Sequence, residues 1–138
     1  MAPSPLTAGG PLSVPDALII IPARMQATRL PGKPLLSLHG LPMIVRTLRR
    51  AQGARCAARV VVATDDERIA AVVREHGGEA CMTRPDHPSG TDRVAEAVAI
   101  LRWEGLVINV QGDEPLIEPE TIDRLAAALA QDVGAGVE

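Results

Sequence analysis

Ala17-Leu18-Ile19-Ile20-Ile21-Pro22-Ala23-Arg24-Met25-Gln26-Ala27-Thr28-Arg29-Leu30-Pro31-Gly32-Lys33-Pro34-Leu35 joins an almost unbroken apolar run to a basic loop. A run with no alternation predicts a strand covered on both faces, roughly Ala17 to Pro22, as parallel sheets have. The loop carries three fixed positive charges, Arg24, Arg29 and Lys33, around a Pro-Gly break. Wrapping a polyphosphate takes these parts: backbone freed by Gly, short side chains for close approach, and Arg or Lys to pair with the oxygens. The carboxyl end of a strand is also where open α/β sheets bind ligands. The segment reads as a nucleoside-triphosphate site.

Beyond it, apolar runs alternate with helical patterns, which predicts βαβ units and a parallel sheet. A helix is expected from about Pro42 to Gly53, with Pro42 in its first turn. A second strand follows at Arg59 to Thr64. Thr64-Asp65-Asp66-Glu67 then reads as a capping box, Thr64 as cap and Glu67 reaching back. The helix it starts carries Ile69, Val72 and Val73 inward and ends at Gly77-Gly78. A third strand, Glu79 to Met82, enters a polar loop from Thr83 to Thr91. The next helix runs to about Trp103 with Val94, Val98 and Leu101 on one face. Leu106 to Gln111 is the fourth strand, and a last helix from near Pro119 presents Ile122, Leu125 and Leu129.

At 138 residues the chain can form one domain with a real core. Hydrophobic residues make up 46% of it, so a globular fold is expected. Trp103 is the lone aromatic, which leaves no platform for stacking bases, and a net charge of −3 gives no basic footprint. Nucleic acid is therefore excluded as a partner. No apolar run approaches a membrane span. Residues 1–16 lack the charged start and apolar core of a signal peptide, and their Pro, Gly, Ser and Thr content reads as a disordered extension before a domain at 17–138. Cys56 and Cys81 are too few for a disulfide framework and read as free thiols in a reducing compartment. A cytoplasmic protein is expected.

Two further segments carry chemistry. In Val110-Gln111-Gly112-Asp113-Glu114-Pro115, a carboxylate just past a buried strand can reach a Mg²⁺ that also holds nucleotide phosphates. Asp113 is the candidate anchor; the alternative is that Asp113 and Glu114 cap the following helix. In Thr83-Arg84-Pro85-Asp86-His87-Pro88-Ser89-Gly90-Thr91-Asp92-Arg93, Ser89 and Thr91 offer hydroxyls and Gly90 exposes backbone at a helix start. Ser-Gly-Thr-Asp is equally an ordinary N-cap. His39, His76 and His87 have no second His or Cys at ligand spacing and read as loop or helix-end residues. Arg46, Arg49, Arg50, Arg55 and Arg59 read as a solvated helix face and its exit. Gly32-Lys33 precedes Pro34 rather than Ser or Thr, so the loop is not of the Walker type.

Together the three segments resemble the 3-deoxy-manno-octulosonate cytidylyltransferase family, the CMP-Kdo synthetases. That family's Pro-Ala-Arg and Arg-Leu-Pro-Gly-Lys-Pro-Leu stand here at Pro22 to Arg24 and Arg29 to Leu35. Its Thr-Arg-x-Asp-His-x-Ser-Gly-Thr-Asp-Arg matches Thr83 to Arg93, and its Asn-Val-Gln-Gly-Asp-Glu-Pro matches Asn109 to Pro115. The resemblance implies a Rossmann-like three-layer α/β/α nucleotidyltransferase fold with a mainly parallel sheet. It implies the reaction of CTP with Kdo to give CMP-Kdo and pyrophosphate, for lipopolysaccharide biosynthesis. Arg24 and Lys33 would hold the triphosphate beside Pro22, Ala23 and Arg29. Asp113 would bind Mg²⁺, Arg84, Ser89 and Gly90 would line the cytosine pocket, and Gln111 would face the sugar. The family's sheet order makes strands one and four neighbours, so that Arg24 and Asp113 converge.

The chain departs from the family at Met25 and Ala27, where members carry an aromatic or Leu and then a Ser. Members also continue well past this sequence, and their second half supplies further strands, sugar-binding residues, another metal-binding Asp and the contacts of a homodimer. The expectation is thus a truncated fold, a fourth strand at an exposed edge, and negligible transferase activity from this chain alone. The rival readings are another CTP-dependent sugar nucleotidyltransferase, for sialic acid or a hexose phosphate, and a non-catalytic nucleotide-binding module.

Overall fold

The computed structural model describes residues 14–25 and 32–136, the end of the last helix as backbone only. Most of the proposed N-terminal extension, and Arg29, lie outside the described residues. The elements in chain order are strand β1 (Ala17–Ala23), a 3₁₀ turn (Lys33–Leu35), strands β2 (Ser37–Leu38) and β3 (Leu41–Pro42), helix α1 (Met43–Gln52), strand β4 (Ala57–Thr64), helix α2 (Glu67–Glu75), strand β5 (Glu79–Met82), helix α3 (Gly90–Leu101), strand β6 (Leu106–Asn109) and helix α4 (Pro119–Gly136).

Four strands form one parallel sheet in the order β5-β4-β1-β6. β1 is central and every one of its residues is buried, which is why its sequence shows no polar alternation. Its side chains divide by parity. Ile19, Ile21 and Ala23 meet Ile44, Leu48, Ile69, Val73, Ile122 and Ala126 from α1, α2 and α4. Leu18 and Ile20 meet Val94 and Ala97 from α3. The result is the expected three-layer α/β/α arrangement, held mainly by burial of branched aliphatic groups at roughly 1.5–3 kcal/mol each.

Several local expectations need correction. The cap of α2 is Asp66, whose carboxylate accepts from the Arg68 N–H at 2.8 Å; Thr64 instead accepts from the Asp66 N–H at 3.2 Å through its hydroxyl. An Asp cap two residues closer to the helix leaves no role for the Thr64–Glu67 box. Leu125 is 44% exposed, since α4 turns Ile122, Ala126 and Leu129 to the sheet instead. Arg46 does not sit on a solvated face: its Nε donates to the Leu38 carbonyl at 2.9 Å and Nη2 to that of His39 at 2.5 Å. Those bonds pin the β2–β3 hairpin, which the sequence reading missed, onto α1. Arg59 is paired with Glu79 across the β4–β5 strands, and Arg50 with Glu118 at 4.0 Å.

β6 is at one edge of the sheet among the described residues, as expected, and β5 is at the other. Both cysteines are buried free thiols. The Cys56 thiol is pushed up to about 12 by burial, aided by a hydrogen bond to Asp123. The same Asp123 carboxylate accepts from the backbone N–H groups of Arg55 and Cys56 at 3.1 and 2.8 Å, tying α4 to the turn before β4. No described helix is long and apolar enough to cross a membrane.

Candidate functional site

Parallel pairing of β1 with β6, Ile20 opposite Asn109, brings the ends of both strands out side by side. The Val110 N–H still donates to the Ile20 carbonyl at 3.0 Å, so Pro22-Ala23-Arg24 and Gln111-Gly112-Asp113 leave the sheet as neighbours. Gly112 makes this possible: a Cβ there would stand 3.1 Å from the Pro22 carbonyl oxygen and 3.3 Å from Ile44. The buried Thr47 hydroxyl donates to the Gly112 carbonyl at 3.0 Å, fixing the turn to α1. Lys33 returns from the far side of the basic loop and places Nζ 3.6 Å from Asp113 Oδ2. Both are substantially exposed, at 36% and 56%, so the pair is accessible to a ligand.

At the same strand ends opens a cleft of about 170 Å³ lined by Pro22, Ala23, Arg24, His87, Ser89, Gly90, Arg93 and Gln111, a lining that includes neither Lys33 nor Asp113. Six of the residues expected from the sequence thus share one concavity. Gly90 lets α3 start against β1, because a Cβ would lie 3.3 Å from the Pro22 ring. Ser89 caps α3, its Oγ accepting from the Asp92 N–H at 3.2 Å and donating to the Asp92 carboxylate at 2.8 Å. The N-cap alternative is therefore realised, and it sets the Ser89 backbone at the cleft wall. Gln111 donates through Nε2 to Asn109 Oδ1 at 3.1 Å.

Glu114 does not cap α4; it closes its own turn, accepting from the Gln111 N–H at 3.1 Å while its own N–H donates to the Gln111 carbonyl at 3.2 Å. Asp113 is left with its carboxylate outward. Arg84 is not among the lining residues: its exposed guanidinium pairs with Asp86 at 3.1 Å, which holds the Asp86 carboxyl below its ordinary range. Two residues the sequence reading gave no role, His87 and Arg93, stand in the lining instead. His87 is half-buried against Glu96 on α3, Nε2 to Oε1 2.5 Å. Arg93 is 3% exposed and donates to the Thr83 hydroxyl at 2.6 Å. No local sequence signal marked them, because each contact crosses from the loop to α3.

For Mg²⁺, the donor set fits a shared rather than a closed site. Among the described residues no group of three or more His, Cys, Asp or Glu could cage a metal. Mg²⁺ in nucleotide sites takes one or two carboxylates and completes its shell with water and phosphate oxygens. Asp113, outward and unshared with another carboxylate, matches that division. A larger groove of about 450 Å³ between the hairpin, α1 and Pro115–Pro119 contains none of the candidate residues.

The cytidylyltransferase family model matches residues 18–135. The chain belongs to the cytidylyltransferase family. Among curated relatives, the chain is 53% identical over 124 residues to the 3-deoxy-manno-octulosonate cytidylyltransferase of Chromohalobacter salexigens, covering 88% of this chain and 48% of the relative. It is 61% identical over 111 residues to the protein of that name from Bradyrhizobium diazoefficiens, covering 78% and 45%. A solved structure of CMP:2-keto-3-deoxy-manno-octonic acid synthetase complexed with CTP superposes with a TM-score of 0.80 at 47% identity, covering 85% of this chain and 48% of that one. The chain therefore spans about half the length of the curated relatives it matches.

Proposed function

We propose that this chain is the CTP-binding part of a cytidylyltransferase that activates Kdo, forming CMP-Kdo and pyrophosphate in the cytoplasm for lipopolysaccharide biosynthesis. The observation that carries the reading is the meeting of Lys33 with Asp113 at the strand ends where the Pro22–Arg24 cleft opens. A cation on a loop and a carboxylate at a strand end, both exposed, suit a triphosphate and the ion it brings. The names of the relatives, and CTP in the solved neighbour, support the substrate class.

In the reaction the sugar's anomeric oxygen attacks the α-phosphorus, its proton leaves, and the bond to the pyrophosphate oxygen breaks in line. Such chemistry depends on positioning and on neutralising phosphate charge. Arg24 and Lys33 pair with the phosphate oxygens, Lys33 exchanging Asp113 for the ligand, and Arg29 is proposed to join them. Ser89 and Gly90, with the loop that carries Arg84, form the side of the cleft that receives the cytosine, and Gln111 faces the sugar. Mg²⁺, held by Asp113 when bound, would neutralise phosphate charge and favour ionisation of the attacking hydroxyl. The remaining sugar contacts and the family's homodimer contacts are assigned to the length of the relatives that this chain does not span, so the isolated chain is expected to turn over negligibly.

The test is pyrophosphate release from the purified chain with CTP, Mg²⁺ and Kdo, alone and with the complementary length of a relative added. Binding of CTP in preference to UTP, with turnover only in the mixture and none from Asp113→Ala, is the expected result. Soluble, folded chain that binds no nucleotide would overturn the reading.

A further inference from the structure

The loop from Thr83 to Ser89 is held by one helix at several atoms. Arg93 Nη1 donates to the Thr83 hydroxyl at 2.6 Å and to the Arg84 carbonyl at 3.0 Å. One turn along α3, Glu96 Oε1 accepts from the Arg84 N–H at 3.0 Å and meets His87 Nε2 at 2.5 Å. Both backbone polar groups of Arg84 are thus satisfied by side chains of α3. The strand side is fixed too, since the Thr83 N–H donates to the Thr64 carbonyl at 2.9 Å. Behind Arg93 stands Asp65, 3.7 Å away, with Oδ1 buried and without a hydrogen-bond partner. His87 and Arg93 themselves line the cleft.

We propose that Arg93 and Glu96 are positioning residues of the nucleotide site: by clamping the Arg84 backbone and the His87 ring they set the base-facing wall of the cleft before ligand arrives, and so determine selectivity for cytosine. The inference rests on the reading of the cleft as a nucleotide site. A loop that had to be ordered by each incoming nucleotide would spend part of the discriminating contact energy on that ordering. Here the order is built in. The Glu96 carboxyl is held below its ordinary range by the Arg84 N–H and then by His87, so it is ionised at neutral pH and accepts both bonds at full strength. The triphosphate end of the site lies on the other loop and does not use the clamp, which separates base selectivity from phosphate grip.

The experiment compares the full chain with Glu96→Ala and Glu96→Gln by calorimetric titration of CTP, UTP and inorganic tripolyphosphate, alongside hydrogen exchange at the Arg84 amide. In Glu96→Ala, CTP affinity is expected to fall about tenfold. UTP should change much less and tripolyphosphate not at all, while the Arg84 amide exchanges faster. Glu96→Gln, which keeps the acceptor oxygen, should retain the preference for CTP. Parallel loss of all three ligands would mark Glu96 as merely structural and overturn the proposal, as would unchanged exchange at Arg84. Wild-type chain that binds tripolyphosphate without preferring CTP would instead sink the cytidylyl reading, and the Arg84 amide would still decide the clamp.

Discussion

The two loops that meet at this site hold their charged side chains differently. Among the described residues of the loop after β1, Arg24 is exposed, and Lys33 reaches Asp113 in an exposed pair. The loop after β5 is gripped from Thr83 to His87 by Arg93 and Glu96, with Arg93 almost wholly buried. The difference teaches how recognition divides. Phosphate oxygens are many, equivalent and charged, so on the proposed reading exposed cations suffice to hold them. A base edge has a fixed pattern of donors and acceptors, and reading it needs a wall that does not move.

The sharpest way to break the contrast is Arg93→Ala. Removing a buried guanidinium strands Asp65 and releases the Thr83 hydroxyl and the Arg84 carbonyl, and a loss of about 3 kcal/mol is expected from urea unfolding. Gly112→Ala comes next, at about 2 kcal/mol, because a methyl pressed to 3.1 Å from the Pro22 carbonyl must push the two strand ends apart. Lys33→Ala should do the reverse of Arg93→Ala. Thermal stability stays within about 0.5 kcal/mol, an exposed ion pair being worth little, while CTP and tripolyphosphate affinities drop together by about tenfold in titration.

The smallest expected effect is a pH dependence. The Glu96 carboxyl lies below its ordinary 4.5 in the folded chain. Its contribution is therefore complete above that value and is lost as pH falls through the depressed one. The unfolding midpoint should drop as pH falls below about 4.5, and drop less in Glu96→Gln, where position 96 carries no carboxylate to titrate. An equal slope in both proteins would remove Glu96 from the account. Thiol chemistry sharpens the same point for the core: with Cys56 pushed up to about 12, iodoacetamide at mildly alkaline pH should leave it unmodified until the chain unfolds.

Much of this was legible in the sequence because it depends on local pattern. The unbroken apolar run of β1 and Ser89 three residues before Asp92 each state their structure within a few positions, whereas Pro42, expected in the first turn of α1, stands just before it as the last residue of β3. Pro22, Ala23, Arg24, Ser89, Gly90 and Gln111 fell into one cleft since each stands at the end of an element whose place in the sheet was foreseeable. What escaped is what depends on side chains crossing between elements. Arg46 reads as a surface charge until the hairpin carbonyls are seen beneath it. Leu125 fits the helical stripe as well as Ala126 does, and only the angle of α4 chooses between them. His87 shows nothing in sequence of the Glu96 that will hold it, nine residues away on the next helix.

Trp103 closes the stretch between α3 and β6, its indole Nε1 donating to the Leu106 carbonyl at 2.9 Å and its ring packed over Gly105. With no other aromatic residue in the sequence, its emission is a signal from one place only, the hinge where the edge strand joins the sheet. The molecule thereby carries its own fluorescent gauge: red-shifted, quencher-accessible emission will mean that β6 has peeled from β1, and a blue, shielded band that it has docked.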